Sequence, residues 1–113
     1  NIYGASGLKI AAEALMKIGA LILANGRWKD HQVISQEWLS LMTTKTSIGT
    51  PACGLLWWIY EDPLILAAQG YLGQRLYIYL EKRLIAVQQY DRDEIPSNQP
   101  HNVVDLRELI TQL

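Results

Sequence analysis

The residues of this chain best suited to chemistry form one stretch, Gln69-Gly70-Tyr71-Leu72-Gly73-Gln74, set between the apolar run Leu64 to Ala68 and the alternating run Arg75 to Leu80. A glycine at the end of a strand marks a bulge, or a place where a second backbone or a ligand comes close, because no Cβ holds it off. Two readings follow. The stretch is a ligand site built on main-chain amides, or it is a hairpin bulge that binds nothing, and these six residues alone leave both open.

Other reactive side chains are sparse. Cys53 is the one cysteine, flanked by Ala52 and Gly54, so no internal disulfide is available and the residue reads as a small apolar side chain. His31 and His101 lie far apart in the sequence with no Cys or His at ligand spacing, so surface roles are expected for both, and neither a metal nor a cofactor is expected. Ten basic residues against 11 acidic ones leave no positive footprint for nucleic acid or an anionic membrane surface. No apolar run approaches the roughly 18–20 residues of a membrane span, so a soluble protein is expected.

The elements that must position the glycine stretch can be read from periodicity. At 113 residues the chain suits a single unit, 1–113. Its opening, Asn1 to Gly7, has turn composition and no initiator methionine, and reads as the interior of a longer protein. Ala11 to Ala24 predicts a helix that Asn25-Gly26 ends, although Ala11 and Ala12 stand where a capping side chain would help. Leu15, Ile18 and Ile22 make one apolar line along it, Met16, Ala20 and Leu23 a second, and Ala14 and Leu21 a third. Glu13 and Lys17 are its charged residues and read as a solvated pair. Such a helix is expected to be covered on most of its circumference, by a missing N-terminal part or by self-association.

Gly26 to Ile34 reads as a loop or small hairpin, and Ser35 caps a short helix reaching Thr43. Beyond a loop to Pro51 the period changes. Gly54 to Tyr60 predicts a central strand apolar on both faces, with Trp57 and Trp58 in the core; Leu64 to Ala68 is a second strand. Arg75 to Leu80 places Leu76, Ile78 and Leu80 on one face and Tyr77 and Tyr79 on the other, and Leu84 to Tyr90 is the last strand. Short polar turns between these runs describe an antiparallel meander. Asp91 to Pro100 is a connection, and Asn102 caps a last helix striped by Val103, Leu106, Ile110 and Leu113. The class is α+β, an antiparallel sheet flanked by helices.

Four segments, in order, resemble the β-lactamase-related serine hydrolases, the family of class C β-lactamases, penicillin-binding peptidases and related esterases and amide hydrolases. Gly7-Leu8 with Leu15-Met16-Lys17-Ile18-Gly19 is similar to its GGL segment and the helix after it; Asn25-Gly26-Arg27-Trp28 with Ile34-Ser35-Gln36-Glu37-Trp38 is similar to its NGGRW and following helix start. Gly54-Leu55-Leu56-Trp57-Trp58 resembles its YGyGWW strand, and Ala68 to Gln74, with Ile78 and Gln89-Tyr90-Asp91, resembles its closing strands. The match runs from Ser6 to about Arg92.

The resemblance implies the C-terminal part of a β-lactamase/transpeptidase-like fold, and hydrolysis of a small ester, amide or β-lactam through an acyl-serine. It also implies an exported protein, periplasmic or extracellular. The family's nucleophile sits in an SxxK motif and a second motif is YxN or YxS. Ser35, Ser40, Ser47 and Ser97 lack a lysine three residues on, no tyrosine has Asn or Ser two positions on, and the chain is expected to carry neither motif. It is therefore expected to be catalytically silent alone. The family's third motif, KTG or HxG, falls on Tyr71-Leu72-Gly73. The resemblance implies that Leu72 and Gly73 border the substrate and that the backbone amide of Gln74 faces a developing oxyanion. Tyr71 replaces the usual Lys or His and brings no positive charge near neutral pH, which weakens the match to carboxylate-bearing substrates. Ala11 and Ala14 likewise replace the usual Thr and Asp. A different class of reading is a non-catalytic module that receives a peptide along the strand edge near Tyr71 to Gln74.

Overall fold

In the computed structural model the described residues are 8–49, 51–70, 73–90 and 106–113, and they form an α+β structure. In chain order the elements are α1 (Ala12–Leu23), β1 (Arg27–Trp28), β2 (His31–Gln32), α2 (Gln36–Thr43), β3 (Ala52–Cys53), β4 (Trp58–Tyr60), β5 (Ile65–Gln69), β6 (Arg75–Tyr79), β7 (Leu84–Gln88) and α3 (Leu106–Thr111). Strands β3 to β7 make one antiparallel sheet in sequence order, and β1 with β2 makes a separate two-residue ribbon.

The alternation read in the sequence sorts this sheet into two faces. Ile59, Leu66, Ile78 and Ile85 are register partners across four strands, and with Leu76 they meet Ile22 of α1 and Leu39 and Met42 of α2. Tyr60, Ile65, Tyr79 and Leu84 form a row on the opposite face, where Ile110 and Leu106 of α3 pack. Ile78 and Tyr77 are fully enclosed, one on each side. Burying a side chain of this size contributes about 1.5–3 kcal/mol, so β6 is the strand on which both layers depend.

Helix α1 begins at Ala11 with no side-chain cap bond, as its sequence implies, and ends in a tight C-terminal turn. The Gly26 amide donates to the Leu21 carbonyl at 2.8 Å, and Gly26 has φ +82 with no room for a Cβ against the Ile34 carbonyl. Glycine is required there on both counts. Ser35 caps α2, its Oγ accepting the Trp38 amide at 3.1 Å.

Three expectations are corrected. The predicted strand Gly54 to Tyr60 is a hairpin: β3 pairs with β4, the Gly54 amide donates to the Trp57 carbonyl at 2.7 Å, and Leu55 and Leu56 form the exposed tip. An unbroken apolar run has no period to locate its own turn, and the short β3 was hidden in a Pro- and Gly-rich stretch. Trp57 is buried as expected, but Trp58 is 42 % exposed because it follows the tip and points away from the α1 side. The last helix ends at Thr111, leaving Leu113 outside its stripe and 75 % exposed; Asn102, Val103 and Asp105 lie outside the described residues.

Candidate functional site

The glycine stretch is the connection between β5 and β6. Gly70 donates its amide to the Gln74 carbonyl at 2.6 Å, which closes the loop one step beyond the Gln69 to Arg75 register pair. Gly73 has φ +81, in the left-handed region that a side chain strains, so the chain turns into β6 at a residue chosen for its backbone. The next amide, that of Gln74, meets no acceptor among the described residues. Tyr71 and Leu72 lie outside the described residues, so of the four site residues read from sequence the structure places Gly73 and Gln74.

Both legs of this loop are tied by side chains. The Gln74 carboxamide donates from Nε2 to the Tyr90 carbonyl at 2.9 Å and accepts the Tyr90 amide on Oε1 at 3.2 Å. Gln88 Nε2 donates to the Tyr90 hydroxyl at 2.7 Å, on the other side of the same residue. On the first leg, Gln69 Nε2 donates to the Tyr60 hydroxyl at 2.9 Å, and the Arg107 guanidinium of α3 lies 4.5 Å from the Tyr60 ring centroid. The Gln89 carboxamide reaches the Ile10 carbonyl at 2.9 Å, just ahead of α1. Each bond is worth about 0.5–1.5 kcal/mol alone; together they fix where the Gln74 amide points. None of these braces was singled out in the sequence. The signal was the concentration of glutamines at strand ends, but only the register shows what each one reaches.

Among the described residues, the candidate nucleophiles are engaged elsewhere. Ser35 and Ser47 spend their hydroxyls accepting the amides of Trp38 and Cys53, the latter at 2.8 Å. Cys53 is half-buried and its thiol donates to the Gly54 carbonyl at 3.2 Å. His31 is exposed on β2, and Tyr77 and Tyr79 are packed in the sheet. Glu13 and Lys17 are both exposed, and an ion pair joins Lys45 to Glu61 at 2.6 Å. No group of three or more metal-ligating side chains forms among the described residues.

One sequence expectation about the nucleophile is wrong at the level of the letters. Ser6 does stand three residues before Lys9, so SxxK spacing occurs once, at Ser6-Gly7-Leu8-Lys9. The spacing serves catalysis when it lies on one helical face, which brings residues three apart together. Lys9 is exposed and precedes α1, which starts at Ala12, and Ser6 lies outside the described residues.

Two further surfaces bear on partners. β6 pairs on both sides, with β5 and β7, so it offers no open ladder for strand addition, and the stretch 73–74 lies at a loop end rather than a sheet edge. An open apolar groove of about 350 Å³ runs between α1 and the β1–β2 ribbon, lined by Lys17, Ile18, Leu21, Trp28 and Val33. Only Gly19 and Ile22 of α1 are buried, so the described structure covers one side of the helix. Among the described residues no helix is long and apolar enough to cross a membrane. No protein-family model matches the chain, and no curated protein matches it.

Proposed function

We propose that this chain is the C-terminal portion of a β-lactamase-related serine hydrolase and supplies one wall of its active site, with the Gln74 amide as an oxyanion donor. The observation that carries the reading is that amide: it has no acceptor among the described residues, follows a left-handed Gly73, and belongs to a residue whose carbonyl and side chain are both held. A fixed, unengaged donor stabilises charge that develops in a transition state, because no reorganisation is needed when the charge appears. Supporting it are the order of the four resembling segments and a sheet with a helix on each face. The nucleophile and its base come from outside the described residues, so hydrolysis of an ester, amide or β-lactam needs the completed protein.

The test is covalent labelling with a fluorophosphonate and a penicillin probe, read by intact mass and peptide sequencing. The polypeptide that carries this sequence in its native form acquires one phosphonyl group from the fluorophosphonate, or one penicilloyl group from the penicillin, on the serine of a helical SxxK, while the 113 residues alone acquire neither, including at Ser6. Replacing Gln74 by Pro deletes the donor and slows labelling about 10²- to 10³-fold, whereas Gln74→Ala keeps the amide and slows it far less. A native polypeptide that is not labelled rejects the reading.

A further inference from the structure

We infer that α3 sets the position of the β5–β6 loop through a relay of three side chains, Arg107, Tyr60 and Gln69, and that Tyr60 and Arg107 are positioning residues for the Gln74 amide. Two neighbouring strands, β4 and β5, and the distant helix α3 contribute one side chain each. The Arg107 guanidinium lies 4.5 Å from the centroid of the Tyr60 ring, and the hydroxyl of that ring accepts Gln69 Nε2 at 2.9 Å. Gln69 is the last residue of β5 and adjoins Gly70, whose amide closes the loop on the Gln74 carbonyl.

The physical argument is one of restraint. Tyr60 is a half-buried β4 residue whose long side chain runs along the sheet, and a ring with a free face would swing away from Gln69. A cation over that face holds the ring by attraction to its quadrupole. Ile110, 4 % exposed against Ile65 and Tyr79, anchors α3 so that Arg107 stays above Tyr60. The β6 leg is held independently by Gln74 on Tyr90, so the loop has one brace from the segment just past β7 and one from Tyr60 of β4, backed by α3. The consequence for turnover rests on the proposed function, but the relay itself does not.

The experiment is residue-resolved amide hydrogen exchange on this chain. The Gly70 amide is the reporter, and the amides of Leu76 and Ile78 in β6 report global opening. Tyr60→Phe removes the hydroxyl and keeps the ring under Arg107; Arg107→Gln removes the cation and keeps the hydroxyl. Both are expected to speed exchange at Gly70 about fivefold while Leu76 and Ile78 change less than about twofold. Lys82→Gln, which removes a similar cation 5.5 Å from the Tyr79 ring centroid, leaves Gly70 unchanged. Unchanged exchange at Gly70 in either variant, or equal acceleration at Gly70 and in β6, overturns the relay. Failure here leaves the hydrolase reading standing, and failure of serine labelling leaves the relay standing.

Discussion

Gln74 holds Tyr90 by both ends of its carboxamide, Nε2 to the carbonyl at 2.9 Å and Oε1 to the amide at 3.2 Å, so the residue that leads into β6 is bound to the second residue past β7. An amide side chain can satisfy a backbone donor and acceptor at once. Gln74→Ala is therefore expected to lose about 1–2 kcal/mol of stability in urea titrations. Gln74→Glu keeps the acceptor but sets a carboxylate oxygen toward the Tyr90 carbonyl, and is expected to lose at least as much at neutral pH. A wild-type midpoint in both variants would mean that the clamp contributes nothing.

Gly19 of α1 lies against Ile85 of β7, and a Cβ added there would sit 2.8 Å from Ile85 Cγ2. Alanine is ordinarily preferred to glycine inside a helix by about 1 kcal/mol. Here contact with a stiff β-branched side chain on a sheet outweighs that preference, so Gly19→Ala is expected to destabilise by about 1–2 kcal/mol. In an Ile85→Ala background the obstruction is gone and the sign reverses. A thermodynamic cycle that shows no coupling between the two positions would contradict the packing of α1 on β7.

The Ser35 hydroxyl caps α2, accepting the Trp38 amide at 3.1 Å, whereas α1 has no side-chain cap bond. Ser35→Ala is expected to cost about 1 kcal/mol, and Ser35→Asp to restore it, since a carboxylate also accepts that amide and favours the helix N-terminus. Thermal melts of the three proteins rank the cap directly. If alanine and aspartate melt alike, α2 draws its stability from Leu39 and Met42 alone.

What was legible in the sequence depended on whether a segment carried its own period. Arg75 to Tyr79 alternates without interruption, and its two faces came out as written, Leu76 and Ile78 toward α1 and Tyr77 and Tyr79 toward α3. Ser35 and Asn25-Gly26 carried cap chemistry, so α1 and α2 were bounded to within a residue. Gly54 to Trp58 has no alternation, and there the β3–β4 tip was mistaken for a strand. The candidate site divides the same way. Gly70 and Gly73 announce a special backbone by residue type, but the braces on Gln69 and Gln74 join residues 9 and 16 positions apart, and such pairings follow from register, which local pattern does not encode.

Along α1, Ile18 and Ile22 are one turn apart yet differ in surroundings: Ile22 is 6 % exposed in the core, and Ile18 is 36 % exposed in the groove beside Trp28 and Val33. The two positions separate a helix with one buried side from one enclosed all round. Ile22→Ala is expected to cost about 2–5 kcal/mol through lost burial and the cavity left behind. Ile18→Lys sets an ammonium beside solvent, where substitutions are worth within about 0.5 kcal/mol, and is expected to leave the melting temperature nearly unchanged. The measurement is thermal unfolding of both variants over a hundredfold range of protein concentration. A groove closed by a second molecule would make the wild-type melting temperature rise with concentration and would make Ile18→Lys as costly as Ile22→Ala, because mass action ties stability to the partner. A concentration-independent wild type with a tolerant Ile18 assigns the groove to open solvent in this chain.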